Sequence, residues 1–346
     1  MKAVVIHAAK DLRIEEREPE APGPGQVEVA IGAGGICGSD LHYYNHGGFG
    51  TVRIREPMIL GHEVAGTIRS LGEGVSGLAI GDRVAVSPSR PCQHCEYCLK
   101  GLQNQCLNMR FYGSAMPMPH IQGAFRQSLV AEHWQCHKVA EGVSINEAAF
   151  AEPLAVTLHA VNRAGSLLGK RVLVTGCGPI GIFAVGICKA AGASRIIATD
   201  VNDTRLALAR EMGAHDAVHP GEAEQAVQRA TDGLGVDVVL EMSGVPAAIH
   251  QAFALVRVGG KVQMLGIPAK PMEVNFATEV IFKGITVYGV VGRRMYDTWI
   301  QMRQFLRSGQ FDPTPAITHR FPLEAYDEAI GVIKSGEAGK VVFEIA

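Results

Sequence analysis

Hydrophobic and polar residues alternate in short runs along the first part of the chain. These runs occupy residues 1–6, 26–31, 64–70 and 83–87, and Pro22-Gly23-Pro24-Gly25 separates the first two. Alternation with a period of two, bounded by Gly and Pro, predicts strands joined by tight turns. We therefore predict an antiparallel, partly closed β domain over roughly the first 155 residues.

The pattern changes at Lys170, after which buried apolar runs alternate with segments of helical periodicity. Strands are predicted at 171–175, 195–200, 236–242, 260–267 and 285–291, and helices at 179–191, 202–212 and 246–256. Such alternation predicts βαβ units around a parallel sheet. Two more helices, at 298–308 and 323–334, and a strand at 340–345 follow. The predicted class is therefore α/β, with a parallel-sheet domain at 156–295 and a mostly β domain formed by 1–155 and 296–346.

Length and charge narrow the classes of function. The 346 residues allow two domains, and a hydrophobic fraction of 47% allows sizeable cores. Basic residues number 32 and acidic residues 34, so the charge balance gives no reason to expect nucleic acid or an anionic membrane as a partner. The first residues lack the apolar core of a signal peptide, and no apolar run reaches the roughly 18 residues of a membrane span. We therefore expect a cytoplasmic protein.

A glycine-rich loop follows the strand at 171–175 and opens the next helix. Its sequence is Gly176-Cys177-Gly178-Pro179-Ile180-Gly181, and Asp200 ends the next predicted strand. The glycines permit a tight turn, a close approach to a pyrophosphate and close helix–strand packing. An acid about 20 residues on accepts hydrogen bonds from the ribose and repels a 2′-phosphate, which favours NAD over NADP. A purely structural turn is the alternative, and Arg205 is either an adenine neighbour or a solvated helix residue.

Four of the eight cysteines lie close together in the chain. Cys92, Cys95, Cys98 and Cys106 have the spacing of ligands that close a tetrahedron around a structural zinc. An iron–sulfur cluster is the competing interpretation. Only Lys100 is basic within this loop, so the loop does not predict nucleic-acid binding.

A second metal site is suggested by donors that lie far apart in the chain. Cys37 is followed by Ser39 and His42, while His62 and Glu63 follow a later apolar run and Glu152 begins a helical stretch. A thiolate, an imidazole and one carboxylate leave a fourth position open, as a catalytic zinc requires. Either Glu63 or Glu152 can supply the carboxylate.

Taken together, these motifs resemble the zinc-dependent medium-chain dehydrogenase/reductase superfamily over essentially the whole chain. The resemblance implies a GroES-like catalytic domain, a Rossmann cofactor domain, one catalytic and one structural Zn²⁺, and NAD. It implies metal binding by Cys37, His62 and Glu63 or Glu152, and a proton relay through Ser39 and His42. It also places the cofactor on Gly176, Gly178, Pro179, Ile180, Gly181, Asp200, Arg205, Leu265, Gly266 and Ile267. A homotetramer or homodimer, with the strand at 285–291 pairing between subunits, is a further implication.

The two halves of the chain resemble different branches of this superfamily. The first half is similar to L-idonate 5-dehydrogenases and sorbitol dehydrogenases, notably at 35–44 and 109–116. The second half is similar to L-threonine 3-dehydrogenases, notably at 240–244 and 292–299. Ser39, and Glu152-Pro153-Leu154-Ala155-Val156, depart from the usual threonine pattern. Natural divergence, recombination and engineering all remain open as the origin of this mixture.

The resemblance therefore predicts oxidation of a secondary alcohol in a sugar acid, with L-idonate and 5-dehydrogluconate as the leading pair. L-Threonine, an amino alcohol, and polyols such as sorbitol or xylitol are the alternatives. Ser39 is expected to accept the proton of the alcohol and His42 to pass it to solvent. A carboxylate substrate needs a cation, for which Arg53, Arg110 and Arg293 are candidates, although each is also expected at the surface or the cofactor. A non-catalytic nucleotide-binding protein is the alternative from another class.

Overall fold

Residues 1–345 are described by a computed structural model, and the chain divides between two main sheets. The first part contains twelve strands and four helices. The strands are β1 Lys2–Ala8, β2 Asp11–Glu16, β3 Gln26–Gly35, β4 Gly48–Phe49, β5 Val52–Arg53, β6 Met58–Ile59, β7 Glu63–Leu71, β8 Arg83–Val86, β9 Ser89–Arg90, β10 Arg110–Phe111, β11 Ser128–Glu132 and β12 Cys136–Lys138. The helices are α1 Gly38–His46, α2 Glu96–Leu99, α3 Ile145–Ala148 and α4 Ala151–Ala164.

The second part is the alternating strand–helix region that the sequence predicts. Its strands are β13 Arg171–Thr175, β14 Arg195–Thr199, β15 Asp216–Val218, β16 Val236–Glu241, β17 Val256–Met264 and β18 Thr286–Gly289. Its helices are α5 Pro179–Ala190, α6 Asp203–Glu211, α7 Ala223–Thr231 and α8 Pro246–Leu255, with a π-helical turn at Phe276–Ile281. The chain then forms α9 Asp297–Ser308, β19 Ile317–Pro322, α10 Tyr326–Ser335 and β20 Lys340–Glu344.

Six strands form a wholly parallel sheet in the order β15-β14-β13-β16-β17-β18. This is the order of a doubly wound dinucleotide-binding fold, in which the strand order reverses beside the first strand of the sheet. Here β13 has that position, and the glycine-rich loop follows it directly. The predicted α/β class is therefore confirmed.

The other large sheet is mostly antiparallel and has the order β12-β8-β7-β3-β20-β19, with β11 also pairing with β3. Because β19 and β20 belong to it, the chain returns to the first sheet after completing the parallel one. Residues 317–344 therefore contribute two strands to the antiparallel sheet. The boundaries at 155/156 and 295/296 themselves remain a prediction.

Helix α4 joins the two parts. Its buried face belongs to one apolar cluster that contains Ala65 and Ala85 of the antiparallel sheet together with Val172 and Val174 of the parallel sheet. A continuous core of this kind fixes the two sheets relative to each other. Residues on α4 and beside it are therefore held rigidly at the junction.

The detailed differences from prediction lie at segment ends and in short elements. Strand β17 begins at Val256 rather than at residue 260, and α7 was not predicted. The stretch that contains Ser39 and His42 is helical, as α1. None of the helices in residues 1–345 has the length and apolar character needed to cross a bilayer.

Candidate active site

Strand pairing brings Cys37 and His62 together. In the β3–β7 pair Gly35 lies opposite Glu63, so the two segments that continue past this pair run side by side. The donor atoms of Cys37, His62 and Glu63 all lie within 4.8 Å of one another. The structure therefore assembles one thiol, one imidazole and one carboxylate from residues that are about 25 positions apart in the chain.

Asp40 organises this cluster from the first turn of α1. Its Oδ2 accepts a hydrogen bond from the Cys37 backbone N–H at 2.9 Å, and its Oδ1 accepts one from the Gly61 N–H at 3.2 Å. The same Oδ1 lies 3.8 Å from Nδ1 of His62. Burial opposes protonation of His62, but the charges of Asp40 and Cys37 outweigh it and raise its pKa to about 10. Asp40 thus fixes the position of Cys37 and of the residue that precedes His62.

The carboxylate of Glu63 is paired with a buried lysine. Lys340 donates to Glu63 and, at 3.1 Å, to the Ile36 carbonyl, and both side chains are almost fully buried. Burial lowers the pKa of Lys340, but the charges of Glu63 and Cys37 raise it more. Gly35 makes room for the pair, since a Cβ there would lie 2.3 Å from Glu63 Oε2.

The carboxylate of Glu152 is paired with a buried arginine. Nη1 of Arg293 donates to Glu152 Oε1 at 2.8 Å, and Nη2 donates to Ser89 Oγ at 3.1 Å. The guanidinium also lies beside the rings of Phe111 and Trp299, with 6.0 and 5.9 Å to the ring centroids. Arg293 is only 2% exposed, so the expectation that it lies at the surface is wrong. The other two candidate cations, Arg53 and Arg110, are exposed.

The donors of the first cluster fit a catalytic zinc. A sulfur, an imidazole nitrogen and a carboxylate oxygen are donors that zinc accepts, and three protein ligands leave the fourth position open. The buried carboxylate of Asp40, with Oδ1 3.8 Å from Nδ1 of His62, acts on the ring through its charge. Each acid is paired with a buried cation, but the group of donors that lie within 4.8 Å of one another contains Glu63 and not Glu152. Of the two acids left open by the sequence, the geometry favours Glu63.

Residues 92–106, here called the four-cysteine lobe, have the geometry of a closed zinc site. The sulfurs of Cys92, Cys95, Cys98 and Cys106 lie within 4.8 Å of one another, and those of Cys92 and Cys98 are 4.0 Å apart. The Cys92 N–H donates to the sulfur of Cys106 at 3.2 Å. Backbone hydrogen bonds, of which that from His94 has the largest effect, lower the pKa of Cys92 to about 6. Such hydrogen bonds favour the thiolate form that zinc requires.

This lobe also contacts the segment that carries Arg293. The side chain of Asn104 donates to the Val291 carbonyl at 3.2 Å, and the side chain of Gln93 donates to the Tyr296 hydroxyl at 3.2 Å. Tyr296 has a φ of 73°, a conformation that a residue with a side chain adopts only when its surroundings hold it there. The four-cysteine lobe therefore helps to fix residues 291–296.

A groove of about 540 Å³ runs along the carboxyl edge of the parallel sheet. It is lined by Gly176, Gly178, Asp200 and Arg205, among others. A Cβ at Gly181 would lie 1.8 Å from the Gly176 carbonyl oxygen, so the third glycine of the motif is needed for packing. The groove has the location and glycine loop of a dinucleotide site.

Asp200 lines this groove and is 7% exposed. It accepts hydrogen bonds from the Cys177 N–H at 2.7 Å and the Asn202 N–H at 3.0 Å. Nη1 of Arg205 is 3.9 Å from Asp200 Oδ1. The carboxylate is therefore held in place beside the glycine loop.

The predicted cofactor residues 265–267 lie just after β17. The backbone N–H groups of Leu265 and Gly266 donate to the Glu241 carbonyl at 3.0 and 3.1 Å, while Ile267 is 88% exposed. The Glu241 side chain is fully buried and accepts hydrogen bonds from the backbone N–H groups of Ser243 and Gly244. Glu241 thus shapes the end of the sheet, a role not anticipated from the sequence.

Comparison with known proteins supplies the family. Residues 23–141 match the model of the alcohol dehydrogenase GroES-like domain, and residues 179–308 match that of the zinc-binding dehydrogenase. The chain is 35% identical to an L-threonine 3-dehydrogenase of Bacillus velezensis over 99% of this chain and 98% of that protein. The chain belongs to the zinc-dependent medium-chain dehydrogenases. The predicted family and enzyme class are therefore confirmed.

Other members of this dehydrogenase family are equally similar. An L-threonine 3-dehydrogenase of Pyrococcus furiosus is 37% identical over 93% of this chain and 92% of its own length. The crystal structure of L-idonate 5-dehydrogenase from Escherichia coli K-12 has a TM-score of 0.92 at 35% identity, covering 99% of this chain and 97% of that one. The two enzyme names match the two branches that the halves of the sequence resemble.

Proposed function

We propose that this dehydrogenase oxidises a secondary alcohol of a sugar acid with NAD, with L-idonate as substrate and 5-dehydrogluconate as product. The observation that carries the reaction type is the Cys37, His62 and Glu63 cluster beside the helix that bears Ser39 and His42. The substrate follows from Ser39 and the Glu152-Pro153-Leu154-Ala155-Val156 stretch, which have the polyol and idonate form. The similar fold of the idonate enzyme supports it.

In this proposal the chain's own residues prepare the pocket and move the proton. Cys37, His62 and Glu63 would hold the catalytic zinc, and the four cysteines of the lobe would hold the structural one. When bound, the zinc polarises the substrate hydroxyl and the nicotinamide accepts a hydride. Lys340 balances the charge of Glu63, and Arg293 balances that of Glu152.

Ser39 and His42 are the proposed proton path. They are three residues apart on α1, so their side chains share one face of the helix. Ser39 is half-buried beside Cys37, while His42 is exposed. A path from Ser39 to His42 therefore leads from the pocket to solvent, where the released proton is taken up.

NAD rather than NADP is the proposed cofactor because of Asp200. Its buried carboxylate is held beside Gly178, where the adenine ribose lies in folds of this kind. A 2′-phosphate at that position would meet a fixed negative charge. The groove residues 176, 178, 200 and 205 are the proposed cofactor contacts, together with 179–181 and 265–267.

L-Threonine is the second candidate, favoured by the names of the relatives at 35–37% identity. Polyols form the third group. Purified enzyme with NAD should be assayed against L-idonate, L-threonine, sorbitol and xylitol, and its zinc counted. We expect the highest kcat/KM for L-idonate and two zincs per chain. Higher kcat/KM for L-threonine would contradict the substrate proposal, and a chain without zinc would contradict the mechanism.

Assembly as a homodimer or homotetramer is part of the proposal. Strand β18 lies at the edge of the parallel sheet, with Thr286 and Val287 exposed and Val291 57% exposed just beyond it. An exposed apolar edge strand readily pairs with another strand. Sedimentation equilibrium of the enzyme should give two or four chains, and Val287→Lys should shift it towards the monomer. A cytoplasmic location stays a prediction.

A further inference from the structure

Two histidines on α1 are unlike the other exposed histidines of the molecule. The exposed histidines within residues 1–345 are His42, His46, His94, His215, His219 and His250. Four of these make a hydrogen bond. His94 is bonded to the Cys92 carbonyl and His215 accepts from the Ile196 N–H. His219 is bonded to Asp203, and His250 to Glu279. Within the described residues 1–345, the side chains of His42 and His46 have neither a hydrogen bond nor an ion pair. Their ring nitrogens are therefore free to bind something else.

These two rings lie next to each other. His42 and His46 are four residues apart on one helix, and their ring centroids are 6.3 Å apart with an interplanar angle of 35°. Exposed side chains change rotamer within nanoseconds, so a small rotation lets both rings reach one ion. Two histidines at i and i+4 on a helix are an established arrangement for binding a transition metal.

The surroundings of the pair favour a soft or borderline divalent cation. Neutral imidazole is a good ligand for Zn²⁺, Cu²⁺ and Ni²⁺ and a poor one for Mg²⁺ or Ca²⁺. The aromatic neighbour of His42 is Phe49, whose ring centroid lies 6.2 Å away and which brings no competing charge. Water would complete the coordination, because both imidazoles are exposed.

The pair adjoins the proposed proton path. Ser39, His42 and His46 are spaced by three and four residues, so they form one stripe along α1. An imidazole nitrogen that binds a metal cannot accept a proton at the same time. Occupation of the pair would therefore remove His42 from the relay while leaving the pocket at Cys37 untouched.

We infer that His42 and His46 form a third metal site, which binds a divalent transition metal such as Zn²⁺ or Ni²⁺ and inhibits the dehydrogenase when occupied. The binding part depends only on the geometry of α1. The inhibitory part rests on the proposed function, in which His42 relays the proton. Inhibition at this site is separate from the two zincs of the holoenzyme and is reversed by a weak chelator.

The test uses the untagged, zinc-loaded enzyme and Ni²⁺ alone. Binding is measured by retention on a Ni²⁺–iminodiacetate column and by calorimetric titration with Ni²⁺, neither of which needs a substrate. His46→Gln removes one ligand and leaves His42 in place. His250→Gln is the matched control, since it removes an exposed histidine that is already bonded to Glu279. We expect His46→Gln to weaken Ni²⁺ binding by about tenfold or more, and His250→Gln to leave it unchanged.

Inhibition is then measured with the best substrate of the panel. We expect His46→Gln to keep its activity without added metal and to require a correspondingly higher Ni²⁺ concentration for half inhibition. Equal Ni²⁺ binding by the wild-type enzyme and His46→Gln would overturn the site. Weaker Ni²⁺ binding in His46→Gln but equal inhibition of both enzymes would overturn the link to the relay. Failure of L-idonate as a substrate changes neither outcome, because Ni²⁺ binding is measured without a substrate and inhibition with whichever substrate of the panel is best.

Discussion

Arg293 and Glu152 form a buried ion pair, with 2.8 Å between Nη1 and Oε1, across the junction of the two parts of the enzyme. Arg293 follows the last strand of the parallel sheet, and Glu152 begins the helix that packs against both sheets. The pair therefore ties the segment after β18 to the pocket. It also neutralises the Glu152 carboxylate, which is near enough to His62 and Glu63 to interact with them electrostatically.

Removal of this arginine should destabilise the enzyme through the acid left behind. In Arg293→Gln the carboxylate of Glu152 stays buried without its cation, which costs roughly 3–5 kcal/mol in comparable pairs. The double variant Arg293→Gln with Glu152→Gln should recover much of that loss, because no charge then remains unpaired. Urea unfolding of the wild type, both single variants and the double variant measures this coupling. Additive effects of the two substitutions would contradict it.

Gly35 should be essential for the catalytic metal. A methyl group there would lie 2.3 Å from Glu63 Oε2 and 2.9 Å from the Phe150 ring, so Gly35→Ala must displace the carboxylate. We expect the variant to keep its structural zinc and lose the catalytic one, with zinc content falling from two per chain to one. Gly38→Ala is the matched control, because nothing lies within 4 Å of a Cβ at that position. Two zincs in both variants would show that Glu63 has room to adjust.

The four-cysteine lobe should influence the pocket as well as its own folding. Cys106→Ser removes one of four ligands, and the contacts of Asn104 and Gln93 with residues 291–296 depend on that loop. We expect one zinc fewer, faster proteolysis within 92–106 and a higher KM for the substrate. Cys188→Ala, in the core of α5, should leave the zinc content unchanged. Atomic absorption, limited proteolysis and steady-state kinetics provide the three measurements.

Asp200 should control the choice between NAD and NADP. Asp200→Asn removes the charge that repels a 2′-phosphate and keeps an acceptor oxygen for one of the two N–H groups, those of Cys177 and Asn202, that bond to the two carboxylate oxygens of Asp200. We expect kcat/KM for NADP to rise relative to that for NAD by about tenfold, which corresponds to about 1.4 kcal/mol. Circular dichroism should remain unchanged. An unaltered ratio of the two kcat/KM values would place the source of discrimination elsewhere in the groove.

His137 should make the enzyme sensitive to acid. Its ring stacks on Trp299 at 4.6 Å, and burial, with smaller effects from Arg303 and Arg293, lowers its pKa from 6.5 to about 4. In the unfolded chain His137 is therefore protonated below about pH 6.5, whereas in the folded chain it stays neutral down to about pH 4. The free energy of unfolding consequently falls as the pH drops through this range. The loss approaches about 3 kcal/mol. His137→Phe keeps the stacking but has no group to protonate. The urea midpoint of the variant, relative to that of the wild type, should therefore be higher at pH 5 than at pH 8.

The sequence was enough to predict the class of fold, and the residues that it offered as metal donors include the two groups that the structure brings together. Alternating apolar periodicity indicated the parallel sheet, and the spacing of Cys92 to Cys106 is local along the chain. Cys37 and His62 were singled out because each lies in a distinctive motif, while the sequence left Glu63 and Glu152 as alternative carboxylate ligands. The mutual distances of Cys37, His62 and Glu63, however, follow from the β3–β7 register, which the sequence does not state.

The buried cations were not predictable for the same reason. Lys340 is a lysine at the start of a strand and Arg293 is one of two adjacent arginines, so both look like surface residues. Only the pairing of β20 with β3, and the return of the chain after β18, places them beside Glu63 and Glu152. The helical form of α1, with His42 and His46 on one face, was likewise obscured by its flanking glycines.

The Lys340–Glu63 pair spans 277 positions of the chain, with the whole parallel sheet between its partners. At a synthesis rate of about 5–20 residues per second, roughly 15–60 s separate the appearance of Glu63 and Lys340 at the ribosome. During that interval the Cys37 thiol and the Glu63 carboxylate are already present while β20 is still missing from its place beside β3. The pocket is therefore completed only after the nucleotide-binding part has been synthesised, and metal loading that depends on Lys340 must follow that synthesis.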